Sequence, residues 1–204
     1  EITLNGDNYL THEAGGAYHD ANANWSDIVD GAGVVIGTGD VDVSTPGEYV
    51  LSYNYTDQAG NVAVTVTRTV VVEDTTIPLI TLNGDANITH EAGDEYTDQG
   101  AVWTDIVDGD GNITATGEVD VLVPGTYVLS YNYTDEAGNE AVTVTRAVVV
   151  VDTTIPVIER LGEENMSSLV WNEWIDPWVE ASDIVDGNLT KQVTRDGEVD
   201  IESP

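Results

Sequence analysis

Apolar and polar positions alternate along much of the chain, between turns rich in glycine and aspartate. Bulky apolar side chains fall on every second residue from Tyr127 to Tyr133. A period of two over about ten residues predicts a half-buried β-strand. Residues 135–139 then predict a hairpin loop and residues 141–151 a closing strand. No segment carries a convincing helical period, so the pattern indicates an all-β protein.

Shorter apolar runs lie upstream of this strand. They predict strands at residues 79–82, 88–90, 100–103 and 113–116. Several short strands within about 75 residues, separated by Gly, Pro and Asp turns, are typical of an antiparallel β-sandwich.

The chain also repeats itself. The segment from Ile2 realigns without a gap on Ile80, 78 residues later, and the motifs ITLNGD, THEAG, YVLSYNYTD, AVTVTR and DTTIP each occur twice. A third copy carries SDIVDG again. An array of repeats is therefore the primary interpretation. The predicted domains are a first copy at residues 1–74, a second at 75–152 and an incomplete third at 153–204.

The third copy lacks counterparts of the strands that begin at Tyr127 and Ala141 in the second. Because those strands supply much of the expected core, an isolated third copy would expose an apolar face and an open edge. We expect the natural chain to continue past Pro204. The alternative is that another chain donates the missing strands, as in donor-strand fibres.

Charge narrows the choice of partners. The net charge is −33, from 38 acidic and five basic residues. Such a surface repels nucleic acid and anionic membranes. Because 41% of the residues are hydrophobic, the acidity does not indicate disorder. Bound cations or high salt would relieve the self-repulsion. No apolar run reaches the ~20 residues that a membrane span needs, and cysteine is absent.

The repeated motifs, from ITLNGD through EAG, TGEVD, PGTY and AGN to DTTIP, resemble the bacterial surface Ig-like repeat family, named after the pesticidal crystal proteins that carry it. They resemble hyalin repeats more distantly. The resemblance covers the whole chain. It implies tandem immunoglobulin-like antiparallel β-sandwiches in an extended rod or fibre, as in adhesins, surface fibres or accessory regions of secreted enzymes. It implies no single activity, since one fold hosts many functions.

The acidic loops are candidate calcium sites, because calcium binds six to eight oxygens from Asp, Glu, Asn and carbonyl groups. If the strands alternate in direction, residues 105–112, the hairpin at 135–139 and the linker residue Asp74 meet at one pole of the second copy. Carboxylates crowded in this way repel one another unless a cation lies among them. Asp108, Asp110 and Asn112 also have the Asp-x-Asp-x-Asn spacing of calcium loops, without the later Glu of an EF-hand.

The candidate Ca²⁺ ligands at the three poles and two linkers are Asp27, Asp30, Asp57, Asn61, Asp74, Asp105, Asp108, Asp110, Asp135, Asn139, Asp152, Asp183 and Asp186. The alternative is that the Asp-Gly pairs only form turns and that the acidity is an adaptation to salt.

Two further features point to carbohydrate. The Asn-x-Ser/Thr sequon, a glycosylation acceptor in secreted proteins, occurs at Asn24, Asn54, Asn87, Asn112, Asn132, Asn165 and Asn188. Exposed strands rich in Asn and Thr would produce the same pattern without a glycan. The third copy also carries Trp171, Trp174 and Trp178, which form either a glycan-stacking face or, more commonly, ordinary packing.

No catalytic set stands out. His12 and His90 occupy equivalent repeat positions, and the paired carboxylates recur in every copy. We therefore expect a non-enzymatic extracellular module at the cell surface, a calcium-stiffened spacer or fibre segment of a large adhesive protein. Its partners would be neighbouring Ig-like repeats of the same or another chain, and surface glycans. Two alternatives remain: a carbohydrate-binding accessory module of a secreted enzyme, and a strand-donating filament subunit.

Overall fold

A computed structural model describes residues 1–169, 172–200 and 202. The chain divides into two compact units. The first comprises Glu1–Asn83, Gly100–Thr114 and Tyr131–Val144, and the second comprises Gly84–Gln99, Ala115–Ser130 and the residues from Thr145 onward. The described regular structure is β-strand apart from one 3₁₀ turn at Thr190–Gln192. The all-β prediction is thus confirmed. No helix in the described part of the chain has the length and apolar character needed to span a membrane.

The first copy is a sandwich of two three-stranded sheets. Its strands are β1 (Ile2–Leu4), β2 (Tyr9–Glu13), β3 (Ala23–Asp27), β4 (Gly31–Val35), β5 (Gly47–Tyr53) and β6 (Val66–Glu73). One sheet has the order β1-β3-β4 and the other β2-β6-β5. Ile2 and Ala23 from the first sheet pack with Leu51 and Tyr53 from the second to form the core.

The second copy repeats these strands, with its sheets in the orders β7-β9-β10 and β8-β12-β11. The strands are β7 (Leu79–Leu82), β8 (Asn87–Glu91), β9 (Ala101–Asp105), β10 (Gly109–Ile113), β11 (Gly125–Tyr131) and β12 (Val144–Val151). In the third copy β13 (Val157–Arg160), β14 (Val179–Asp183) and β15 (Gly187–Asn188) form one antiparallel sheet.

Three details of the strands differ from the sequence-based expectations. The strand expected at residues 113–116 is instead Gly109–Ile113, so the glycine-rich segment is itself a strand. Gly111 is needed there because a Cβ at this position would lie 2.6 Å from Nε1 of Trp103, which covers the backbone. The strand through Tyr131 ends at that residue, and the closing strand begins at Val144 rather than Ala141.

Two pairs of strands run in parallel, which the period-two pattern does not reveal. Most pairs are antiparallel, but β2 pairs with β6 in parallel, and β8 pairs with β12 in the same way. Alternation specifies which side chains face the core, whereas the direction of the neighbouring strand depends on the connections between strands.

A buried arginine ties each of the first two copies together. Arg68 on β6 is 1% exposed, forms an ion pair with Asp20 and donates to the Tyr53 hydroxyl at 3.2 Å. Its Nε and Nη2 also donate to the carbonyl oxygens of Asp7 and Asn5, just beyond β1. One side chain thus joins three separate segments.

The second copy uses the same arrangement. Arg146 is 0% exposed, forms an ion pair with Asp98 and donates from Nε to the carbonyl oxygen of Asp85 at 2.9 Å. A guanidinium suits this position because its five donors can serve several acceptors at once.

We expect Arg68→Ala to lower the free energy of unfolding by about 3–5 kcal/mol, because it leaves Asp20 and two carbonyl groups without their partner. The matched control is Arg195→Ala, since Arg195 pairs with Asp176 at 2.7 Å but has a side chain that is 55% exposed. Removing an exposed pair costs at most about 1 kcal/mol. Urea unfolding followed by circular dichroism measures both, and equal losses would contradict the structural role of Arg68.

Candidate metal centre at the first junction

The N-terminal pole of the second copy is built from two aspartate-stabilised loops. Asp105 ends β9, and its Oδ1 accepts the amides of Val107 at 2.7 Å and Asp108 at 3.0 Å. Asp108 in turn accepts the amide of Glu136 through Oδ2 at 2.7 Å. The loop after β9 is therefore hydrogen-bonded to the hairpin at residues 135–139.

The linker from the first copy enters this pole. Asn139 donates its amide to Asp135 Oδ1 at 2.7 Å and its side-chain Nδ2 to Asp135 Oδ2 at 2.9 Å. The same Nδ2 donates to the carbonyl oxygen of Asp74 at 3.1 Å. The hairpin thus holds the linker at the residue whose carboxylate faces the loop carboxylates.

Three carboxylates converge at this point. Asp74, Asp105 and Asp108 each offer an oxygen, and these oxygens lie within 4.8 Å of one another. Asp74 is 8% exposed and Asp135 is 7% exposed. Oδ2 of Asp74 and Oδ2 of Asp105 are buried and receive no hydrogen bond. Buried carboxylate oxygens without donors are costly, so the arrangement fits a cation.

The pKa of Asp74 also fits a cation at this position. Burial raises the pKa of Asp74, and the nearby charges of Asp105 and Asp135 raise it further, against the opposing hydrogen bond from the Thr76 amide. Burial also opposes ionisation of Asp135, but hydrogen bonds from Asn139 outweigh it and hold that pKa below its usual range. A nearby positive charge would therefore favour the ionised form of Asp74.

The remaining candidate ligands of the second copy lie elsewhere. Asp110 and Asn112 are exposed residues of β10, and neither belongs to the cluster of Asp74, Asp105 and Asp108. The Asp-x-Asp-x-Asn spacing thus runs along a strand and does not form a loop around one point.

The other two poles share the loop geometry. Asp27 accepts the amides of Val29 and Asp30, and Asp183 accepts those of Val185 and Asp186. In the first copy Asp30 accepts the amide of Gln58, and Asn61 donates twice to Asp57. At the second junction Asp152 is half-buried, whereas Asp74 is buried. Within the described residues only the first junction brings three acidic or histidine ligand atoms this close.

A glutamate fastens each linker, which sequence reasoning missed. Glu13, at the end of β2, accepts the amide of Thr75 at 3.0 Å and the hydroxyls of Thr75 and Thr76 at 2.6 Å. These bonds lower the pKa of Glu13 to about 2. Glu91 holds Thr153 and Thr154 in the same way. The sequence signal for this contact was that Glu recurs in THEAG and Thr-Thr recurs in DTTIP. The spacing of the two motifs does not indicate that they contact each other.

An isoleucine also contacts the preceding copy at each junction. A Cβ built on Gly15 would lie 2.5 Å from Cδ1 of Ile106, so the glycine leaves room for this side chain. Gly93 and Ile184 repeat the contact, with 2.8 Å to Cδ1. The Ile of the second and third DIVDG motifs therefore docks on the Gly of the EAG motif in the copy before it. This was also missed, because an isolated isoleucine in a polar loop carries no periodic signal.

The aromatic predictions have mixed outcomes. Tyr53 and Tyr131 are fully buried, as expected for core residues. Trp174 is half-buried, and Trp178 is exposed with the Arg195 guanidinium 5.8 Å from its ring centroid. Trp171 lies outside the described residues.

All seven sequon asparagines are exposed. Two of them already have side-chain partners, since Asn54 accepts a hydrogen bond from Thr65 and Asn132 accepts one from Thr143. Glycosylation of these sites stays a prediction.

A family model described as "Bacterial surface protein, Ig-like domain" matches residues 2–72 and 80–150, which is more than half of the chain. The chain belongs to this family. The resemblance seen in the repeated motifs is thus confirmed. A bacterial surface Ig-like chain of this kind is a repeat module of extracellular surface proteins.

This bacterial surface Ig-like chain is also similar to hyalin from Lytechinus variegatus, with 37% identity over 125 residues. That match covers 57% of this chain and 24% of hyalin, so the chain spans about a quarter of its curated relative. Among solved structures it is similar to the lipoprotein BT2262 from Bacteroides thetaiotaomicron, at 16% identity and a TM-score of 0.32, over 74% of this chain and 79% of the lipoprotein.

We expect Gly15→Ala to destabilise the chain more than Gly6→Ala. Both glycines have positive φ, +74° and +87°, but a Cβ added to Gly6 would have no atom within 4 Å, whereas one added to Gly15 would meet Ile106. The backbone strain of about 1–2 kcal/mol is common to both, and overpacking adds about 1–3 kcal/mol at Gly15. In an Ile106→Ala background the excess should disappear. Thermal unfolding of the four variants measures it, and an excess that persists would place the clash elsewhere.

The Glu13 bonds predict an acid dependence of the linker. The folded-state pKa of about 2 lies below the ordinary 4.5, so the stabilisation is complete above about pH 4.5 and is lost as the pH falls towards 2. Carboxyl NMR should show Glu13 titrating near pH 2, and its pKa should rise in a Thr75→Val, Thr76→Val variant. Titration near 4.5 in the unchanged chain would rule out the bonds to the linker.

Proposed function

We propose that the chain is a structural segment of an adhesive or fibrous surface protein, in which calcium stiffens the junction between successive Ig-like repeats. One observation carries the proposal. Asp74, Asp105 and Asp108 point oxygens at one another, and two of those residues have buried oxygens with no hydrogen-bond donor.

Basic side chains are too few to neutralise this cluster. The five basic residues of the chain are Arg68, Arg146, Arg160, Lys191 and Arg195. The last three belong to the third copy, and Arg68 and Arg146 are buried in ion pairs of their own. The positive charge that these carboxylates need must come from the solution.

The ligand chemistry favours calcium over other metals. The groups that converge are carboxylates, and neither cysteine nor histidine belongs to the cluster. Such hard oxygen ligands, drawn from the linker and from the end of β9 and its loop, suit the variable geometry of Ca²⁺. Zinc and copper instead favour sites rich in sulfur and nitrogen ligands.

The position of the cluster gives calcium its mechanical effect. Asp74 belongs to the linker, whereas in the second copy Asp105 ends β9 and Asp108 lies in the loop that follows it. An ion bound by all three would fasten the linker to the next repeat. Glu13 already holds Thr75 and Thr76 on the other side, and Pro78 is buried. The segment between the copies would then have little freedom, which suits a spacer that projects an adhesive region.

The test is Asp74→Asn, measured with and without calcium. In chelator the variant should melt higher than the parent chain, because the raised pKa of Asp74 means that its charge is unfavourable there. In calcium the order should reverse, since a ligand at ~100 times its dissociation constant stabilises the parent by about 2.7 kcal/mol.

Asp110→Asn is the matched control, because it removes the same charge from an exposed residue of β10 outside the cluster. It should bind calcium like the parent in titration calorimetry. If the parent shows no heat with calcium, or if both variants lose binding equally, the cluster is not a calcium site.

A further inference from the structure

Strand β4 of the first copy lies at the edge of its sheet. The sheet has the order β1-β3-β4, and among the described residues β4 (Gly31–Val35) pairs only with β3. By Thr38 the chain has crossed to the other sheet, where it bonds to Ser52. Because an edge strand directs every second N–H and C=O group away from its neighbour, β4 offers backbone donors and acceptors to another strand.

The outward side chains of this edge are apolar. Ala32, Val34 and Ile36 are exposed and alternate with half-buried residues. Val34 is 63% exposed and Ile36 is 74% exposed. Residues 31–39 carry no charge, although the chain as a whole carries −33. Two chains of this charge can therefore meet along β4 without bringing their carboxylates together.

The second copy differs from the first at these outward positions and keeps the rest of the strand. Its edge strand β10 pairs with β9 as β4 pairs with β3, and Gly111 lies beneath a tryptophan as Gly33 does. The exposed positions are instead Asp110, Asn112 and Thr114. A charged residue on an edge strand opposes pairing with another strand. The edge at β10 is thus protected, whereas the edge at β4 is not.

We propose that β4 of the first copy is an interaction surface for β4 of a second copy of this chain, paired antiparallel about a two-fold axis. With the axis at Val34, this residue lies opposite Val34 of the partner subunit, and Ala32 lies opposite Ile36 of the partner subunit. The two Asp30 carboxylates lie at opposite ends of the pair, each across from a Thr38. A parallel pairing would instead bring the two Asp30 side chains together.

A second copy is favoured as the occupant because the edge is self-complementary. Asp30 and Asp40 flank the uncharged stretch, so an occupant must supply an apolar strand whose own carboxylates are offset along the pair. Strand β4 has this pattern. The contact joins the two three-stranded sheets into one and links two chains side by side. It uses none of the carboxylates of the proposed calcium cluster, so it is independent of the function proposed above.

The first test uses a single cysteine, because the chain has none of its own. Val34→Cys should form a disulfide between two chains in air, since opposite residues of paired strands lie about 4.5–5.5 Å apart between Cα atoms, within the range of a disulfide. Val64→Cys is the matched control, because Val64 is 85% exposed but lies outside β4. Equal cross-linking of the two variants would contradict the pairing.

Sedimentation equilibrium, in chelator, measures the association without a cysteine. The parent chain should dimerise, and more strongly at high salt, because screening weakens the repulsion between two chains of charge −33. The combined variant Ala32→Asp, Val34→Asn, Ile36→Thr gives β4 the outward residues of β10, which this fold accepts. It should raise the dimer dissociation constant about tenfold, because three apolar cross-strand pairs are lost. Circular dichroism checks that the variant is folded.

The reciprocal change tests the same edge in the second copy. Asp110→Ala, Asn112→Val and Thr114→Ile together should expose an apolar edge at β10 and produce assemblies larger than a dimer. A parent chain that stays monomeric up to about 1 mM, where a weak contact is half-formed, would overturn the proposal. Val34→Cys chains that cross-link faster to Asn112→Cys chains than to one another would make β10 the occupant and would also overturn it.

Discussion

The buried arginine of the first two repeats is the interaction on which the rest of their structure depends. Arg68 reaches from β6 to Asp20, to the Tyr53 hydroxyl and to carbonyl groups beyond β1, so it joins segments that are far apart in the sequence. Burying a guanidinium is tolerated only when its donors are satisfied, and here aspartate, tyrosine and backbone all contribute. Because the scarce arginines are used in this way, the first two copies have no basic side chain left for their acidic loops. The carboxylates of the first junction are left without a basic side chain because both arginines are buried in the cores.

Much of the fold could be predicted from the sequence because its signals are local or repeated. The alternation around Leu129 and Tyr131 and the 78-residue repetition were enough for the strands, the family and the buried tyrosines. The strand at Gly109–Ile113 could not be predicted, since glycine is rare in strands. Gly111 fits here because the indole of Trp103, on the neighbouring strand, covers its backbone. The parallel pairing of β2 with β6 depends on long-range connections, to which a period of two is insensitive.

Only part of the candidate site could be predicted from the sequence, for the same reason. The acidity of the linker and loops indicated which carboxylates to consider, and the order of strands suggested that Asp74 would approach Asp105 and Asp108. Sequence spacing could not separate these residues from Asp110, which lies along a strand and outside the cluster. It also could not reveal Glu13 or Ile106, because both act on a different repeat from their own. Contacts between repeats do not affect the pattern of apolar and polar residues within a single repeat.

The net charge of the chain and the carboxylate of its linker would respond to cations in physically distinct ways. The net charge of −33 is spread over all copies and is relieved by any mobile ion, because exposed charges interact through a screening atmosphere with a Debye length of about 8 Å at physiological ionic strength. Asp74 is different. Its Oδ2 is buried, so monovalent salt in the surrounding water screens it poorly, and a cation helps only by entering the cluster. Adaptation to salt and a specific junction ion are therefore not competing explanations of the same carboxylates. The exposed acids would respond to salt, whereas the linker aspartate, held by Asn139 beside Asp105, is the carboxylate on which the proposed junction ion depends.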